Sequence, residues 1–160
     1  MAFNWFKKRK ENEKKEELLT EGSIVIGARA RDKYEAIEIV GGLLVKEGRV
    51  EPAYIDAMKQ REDMLTTYIG NGIAIPHGVG DAKEKIKKSG LAVAQFPEGV
   101  DFGEGDKAYI VIGIAAKGEE HLDILANIAS ACEDEKRVKK LVESKDPREI
   151  LRLLTEGFAR

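Results

Sequence analysis

The chemistry open to this chain rests on few residues: two histidines, one cysteine and an arginine set at a helix end. His77 stands in G-N-G-I-A-I-P-H-G-V-G (Gly70–Gly80), directly behind Pro76 and ahead of Gly78. Loops at strand ends are where a rigid scaffold presents reactive groups. Pro76 fixes the approach of the chain, and Gly78 and Gly80 would let backbone N–H groups come close to an anion. An imidazole held there is a nucleophile, its near nitrogen tethered and its far nitrogen free to attack. His121 opens E-E-H-L-D-I-L-A-N-I-A-S-A-C, on one stripe with Leu125, Ile128 and Cys132, which points it at the core from the helix end. Two readings fit it. It is a buried capping histidine, or a neutral imidazole at the positive end of a helix, offering N–H to an anionic group. Arg61 ends the helix that starts at Pro52. It is either solvated or, if the next loop folds back, a guanidinium fork suited to phosphoryl oxygens.

Other chemistries lack their parts. Gly70-Asn71-Gly72 is a fragment of a phosphate loop, but neither G-x-G-x-x-G nor G-x-x-x-x-G-K-[ST] is completed. Two histidines far apart, with no pair at helical spacing, do not make a zinc site, and neither metal nor other cofactor is expected. A Cys132–histidine nucleophile pair is conceivable. Cys132 nevertheless falls at the buried spacing of Leu125 and Ile128 and reads as a small core residue. A lone histidine is ordinarily a surface or satisfied core residue, so it is the setting of His77 that singles it out.

The elements that must hold these residues follow from periodicity. Ser23–Gly27 reads as a short β-branched strand. Ala36, Ile37, Val40, Leu43 and Leu44 recur at helical spacing, with Asp32 as N-cap and Gly48 as stop. Pro52 suits the first turn of a second helix reaching about Asp63, with Tyr54, Ile55 and Met58 inward. Ile73–Ile75 is a strand ended by Pro76, and D-A-K-E-K-I-K-K-S-G a short exposed helix stopping near Gly90. L-A-V-A-Q-F and A-Y-I-V-I-G-I-A-A are strands joined through P-E-G-V-D-F-G-E-G-D, whose glycines and acids form turns. The second is apolar throughout, as for a strand covered on both faces. Three helices close the chain: one from near Glu119, one over Glu135–Glu143, and one from Asp146-Pro147 towards Phe158. The predicted fold is a single α/β (α+β) domain, a mixed central sheet flanked by helices on both sides, without internal repeat.

Composition agrees, with 42% hydrophobic and 35% charged residues. The net charge of -2 leaves no basic excess for nucleic acid. A single cysteine precludes an internal disulfide and suits a reducing compartment. No apolar stretch approaches the roughly 20 residues that span a bilayer, and no signal peptide is visible. A cytoplasmic location without stable membrane insertion is expected. The first 17 residues stand apart: after M-A-F-N-W-F, the run K-K-R-K-E-N-E-K-K-E-E reads as a solvated arm or frayed helix. Its rival is a weak membrane-surface contact through Phe3, Trp5 and Phe6 beside Lys7, Lys8, Arg9 and Lys10, which the following acidic residues oppose. The domain is placed at 18–160, behind an arm at 1–17.

R-E-D-M-L-T-T-Y-I-G-N-G-I-A-I-P-H-G, Q-F-P-E-G-V-D-F-G and V-I-G-I-A-A-K-G-E-E-H-L-D-I-L-A-N-I-A together resemble the type-2 enzyme IIA domains of the bacterial phosphoenolpyruvate-dependent sugar phosphotransferase system. The resemblance runs from about Leu18 to the C-terminus. Its G-N-G-I-A-I-P-H-G core is shared by the mannitol, fructose and nitrogen-regulatory branches, and P-E-G-V-D-F-G favours the mannitol branch. Carried over by position, it implies that His77 is phosphorylated on Nε2, that His121 is the second active-site histidine, and that Arg61 meets the phosphoryl group. It implies the same sheet-and-helix fold, the phosphocarrier protein HPr as donor, and a cysteine of the mannitol enzyme IIB domain, which serves a membrane permease, as acceptor. The arm has no counterpart in it. Three other readings remain beside this one. They are a fructose-type or nitrogen-regulatory enzyme IIA acting by phosphorylation-dependent protein binding, a silent interaction domain with structural histidines, and a small hydrolase using His77 as general base.

Overall fold

The computed structural model describes residues 18–156, so the charged arm and the expected reach of the last helix to Phe158 lie outside the described residues. Five strands pair in the order β1-β4-β5-β3-β2: β1 (Ile24–Val25), β2 (Tyr68–Gly70), β3 (Ile73–Ala74), β4 (Gly90–Asp101) and β5 (Lys107–Ala115). β1 runs parallel to β4 and β3 parallel to β5, while β4–β5 and β2–β3 are antiparallel, so the sheet is mixed. The described helices are α1 (Lys33–Lys46), α2 (Tyr54–Met64), α3 (Glu120–Ala131), α4 (Glu135–Glu143) and α5 (Pro147–Glu156).

Side chains alternate across β4 and β5, and the two faces differ in size. Leu91, Val93, Ile110, Ile112 and Ile114 face one way and pack with Ile124 and Ile128 of α3, Leu141 of α4 and Ile150 and Leu153 of α5. Ala92, Ala94, Val111 and Ala115 face the other way, against Ala36, Ile37, Val40 and Leu44 of α1 and Tyr54 and Met58 of α2. Small residues on this second face bring α1 close to the sheet. A Cβ at Gly113 would stand 2.9 Å from Val40, and one at Gly41 would stand 2.7 Å from Ile55 across the α1–α2 contact. The helices start as their sequences dictate: Asp32 accepts a hydrogen bond from the N–H of Glu35, and Asp134 from those of Lys136 and Arg137. Gly48 follows α1 at φ +72°, a conformation a side chain would strain.

Three local expectations change. β2 was not anticipated, because three residues ending in Gly70 carry too little β signal; it forms by pairing with β3. P-E-G-V is strand rather than turn. Gln95 pairs with Ile110 and Val100 with Ala108, so Phe96–Gly99 oppose Tyr109 alone in a bulge where Pro97 needs no ladder partner. The hairpin turn comes later, closed by the N–H of Asp106 on the carbonyl of Gly103. Finally, Gly80–Lys85 is a 3-10 helix, not an α-helix running to Gly90. Ile86 is pulled out of it into a bridge with Val50, and the Lys87 and Lys88 amides donate to the carbonyl of Arg49.

Candidate active site

Two neighbouring parallel strands, β3 and β5, end at the same edge of the sheet, and in such sheets ligands gather beyond the carboxyl ends of strands. His77 follows β3 across Ile75 and Pro76; His121 opens α3 soon after β5 ends at Ala115. Their rings lie 5.4 Å apart, centroid to centroid, tilted by 59°. The His77 segment is locked to both neighbours. The Ile75 N–H donates to the Thr67 carbonyl, and the Ile114 N–H donates to the Pro76 carbonyl. The ring then turns back on its own chain, Nδ1 lying 2.8 Å from the Ile75 carbonyl. A carbonyl only accepts, so Nδ1 carries the proton and Nε2 the lone pair. Among the described residues no side-chain nitrogen or oxygen is shut off from solvent without a hydrogen-bond partner, and Nε2 has none, so it opens to solvent.

His77 is not the exposed loop residue that its glycines suggest: it is 6% exposed. Burial, with the nearby charge of Arg61, pushes its pKa below the ordinary 6.5, against the pull of the Ile75 carbonyl and Glu62. His121 is half-buried and also depressed, by partial burial, by His77 and by Lys83. Both rings are therefore neutral at pH 7. Of the stripe expected with His121, Ile128 and Cys132 are buried and Leu125 is partly covered, with Ile124 and Ala131 also buried on that face. Its ring lies beside that of His77 at the start of α3.

Arg61 lies in the last turn of α2, half-buried, with Nη1 donating to the carbonyl of Leu65. The loop after it does fold back. The buried carboxylate of Glu62 accepts from the hydroxyls of Thr66 and Thr67 and from the Thr67 N–H, with Lys33 3.8 Å away. Arg61 lines a depression of about 360 Å³ shared with Met64, Val79, Ala82 and Lys85. Met64, which lines it, is 76% exposed, its chain neighbour Leu65 69%, and Leu122, next to His121 in the chain, 74%. No group of three or more His, Cys, Asp or Glu side chains that could hold a metal occurs among the described residues. Burial pushes the Cys132 thiol up to about 11, so it remains protonated in its core.

The two histidines singled out from sequence thus lie together beyond the ends of β3 and β5, with Arg61 near enough for its charge to act on His77. One supporting role was misjudged. Gly78 does not present its N–H to an anion, because that N–H donates to the Tyr54 hydroxyl, 2.8 Å away. Tyr54 had been read only as an inward residue. A tyrosine among buried aliphatic positions needs a partner for its hydroxyl, and that was the available signal.

A family model, phosphoenolpyruvate-dependent sugar phosphotransferase system, EIIA 2, matches residues 17–157. The mannitol-specific phosphotransferase enzyme IIA component of Geobacillus stearothermophilus is 46% identical over 139 residues, 87% of this chain and 96% of that protein. Among solved structures, the crystal structure of IIA mannitol from Escherichia coli is similar at TM-score 0.79 and 42% identity, covering 84% of this chain and 97% of that one. A chain in the complex of enzyme IIAMTL and phosphorylated enzyme IIBMTL from Escherichia coli is similar at TM-score 0.82 and 40% identity, covering 87% and 99%.

Proposed function

This chain belongs to the EIIA 2 family of the phosphoenolpyruvate-dependent sugar phosphotransferase system, and from that premise we propose that it is a mannitol-branch phosphoryl carrier whose acceptor atom is Nε2 of His77. It is a phosphotransferase component that hands its phosphoryl group to mannitol enzyme IIB in mannitol uptake. The donor in this reading is the phosphohistidine of HPr. The observation that carries the site is the ring of His77: Nδ1 engaged by Ile75 and Nε2 open beside His121.

The steps balance without a base. The Nε2 lone pair forms an N–P bond as the donor's N–P bond breaks, and the electron pair leaves with the donor imidazole. No proton need leave His77, because its only ring proton sits on Nδ1, held by the Ile75 carbonyl. In the onward step a cysteine thiolate of enzyme IIB attacks phosphorus, and His77 returns neutral with Nδ1–H unchanged. The protein's part is positioning and offsetting oxygen charge. Arg61 supplies the fork to the phosphoryl oxygens, and neutral His121 donates a hydrogen bond to them. The uncovered apolar side chains of Met64, Leu65, Val79 and Leu122 offer both partners a desolvating contact. A cytoplasmic place of work fits this exchange, and no described helix is long and apolar enough to cross a membrane. The domain belongs at 18–160, with the arm outside it.

Incubation with phosphoenolpyruvate, enzyme I and HPr, followed by mapping of acid-labile phosphate, tests the assignment. One alkali-stable phosphoryl group on His77 is expected, discharged on adding mannitol enzyme IIB. A His77→Ala protein that loads at the wild-type rate would overturn the site, and a loaded protein that enzyme IIB cannot discharge would point to the regulatory branch instead.

A further inference from the structure

His77 forms an isolated parallel bridge with Ile114, and one of its two hydrogen bonds is not made by backbone alone. On the upstream side the Ile114 N–H donates directly to the Pro76 carbonyl at 2.9 Å. On the downstream side a parallel ladder would send the Gly78 N–H to the Ile114 carbonyl. A side chain stands there instead: Gly78 N–H donates to the Tyr54 hydroxyl at 2.8 Å, and that hydroxyl donates to the Ile114 carbonyl at 2.8 Å. We propose that Tyr54 is a positioning residue for phosphoryl transfer, its hydroxyl wedged between the Gly78 N–H and the Ile114 carbonyl to tie the His77 loop to β5 and fix the orientation of the imidazole. The proposal rests on the reading of His77 as phosphoryl acceptor.

Three further observations bear on it. Tyr54 is 1% exposed and its ring fits only because the facing residue is glycine. A Cβ on Gly78 would meet Tyr54 Cε1 at 2.8 Å and the Ala82 Cβ at 3.1 Å. Gly78 is not among the residues with positive φ, so the glycine answers a need for space rather than for backbone freedom. Burial pushes the phenol up to about 12, so the hydroxyl keeps the proton it donates throughout the neutral range. Tyr54 also stands two turns before Arg61 on α2, on the same helix face. The hydroxyl therefore ties the peptide after the nucleophile to the helix that carries the arginine, and sets the two against one β5 residue.

Tyr54→Phe keeps the ring and removes the wedge. Gly78 N–H and Ile114 C=O then either lose their partner or close onto each other, and either change shifts His77. The 15N NMR signals of the unphosphorylated His77 ring at pH 8 should show a single Nδ1–H tautomer in the wild type and a mixture in Tyr54→Phe. Acceptance from phospho-HPr in a single turnover should fall by about ten- to a hundred-fold, the range expected for a misplacement of about 1 Å. Leu153→Ala, on the opposite face of the sheet, lowers stability without touching the loop and should leave tautomer and rate as in the wild type. An unchanged tautomer in Tyr54→Phe overturns the proposal, as does a rate loss no greater than that of Leu153→Ala at equal melting loss. If the wild type itself takes no phosphoryl group, the acceptor reading fails, and the tautomer measurement still decides whether Tyr54 orients the ring.

Discussion

At His77 one hydrogen bond settles the tautomer and, in the proposed reading, the direction of attack, since a ring that gives Nδ1–H to Ile75 has only Nε2 left to react. Neutrality follows from depressed pKa values at both histidines. The folded chain resists protonating them, whereas the unfolded chain binds protons at the ordinary value, about 6.5. Their contribution to stability is therefore complete above about pH 6.5 and lost as pH falls through the lower folded values. Urea unfolding at pH 5.5 and 7.5 should show a larger acid loss for the wild type than for His77→Gln; equal losses would mean an undepressed ring. Because the ring is 6% exposed, His77→Ala should fold but lose about 1–3 kcal/mol, more than a surface loop residue would. Arg61→Lys keeps the charge and loses the fork. Slower transfer with under about 1 kcal/mol of destabilisation is expected, and a large melting loss with normal transfer would make Arg61 structural. If His121 acts as the proposed donor, His121→Gln should retain more transfer than His121→Ala, by up to about ten- to a hundred-fold, in stopped assays with phospho-HPr and enzyme IIB.

The elements matter through how closely they approach. Gly113 is glycine because Val40 of α1 lies where its Cβ would go, so Gly113→Ala should overpack that face and cost about 1–3 kcal/mol by urea denaturation. A gain in stability would show that α1 can move aside. These close approaches also mark what the sequence could and could not tell. Asp32, the helical spacing from Ala36 to Leu44, and Glu135–Glu143 were legible because cap chemistry and periodicity are local. The candidate site was read from His77 and its neighbours in the chain, and the fold sets the ring of His121 beside it. β2, the Phe96–Gly99 bulge and the release of Ile86 to Val50 are decided by partners distant in sequence, and no local pattern announces them. The Tyr54 hydroxyl belongs with these, since its two partners come from different strand ends.

On the scale of the whole molecule, Met64, Leu65 and Leu122 are large apolar side chains left uncovered, and they do little for the fold. Leu122 is 74% exposed, so Leu122→Asp should leave the melting temperature within experimental error while weakening partner docking. A raised KM for phospho-HPr or for enzyme IIB, with little change in single-turnover rate at saturation, is the expected signature. An unchanged KM for both would remove Leu122 from the contact surface. The sheet also divides the molecule into two apolar layers, and the site draws on both. Arg61 and Tyr54 belong to a helix packed with α1 on one face, His121 to a helix packed with α4 and α5 on the other, and His77 to the strand edge between them. A chain in which only one layer has docked holds a histidine without its arginine, or without its companion ring. Under the proposed roles of His77, His121 and Arg61, readiness to be charged is thus a certificate of complete assembly, since both layers must be docked before the three groups stand together.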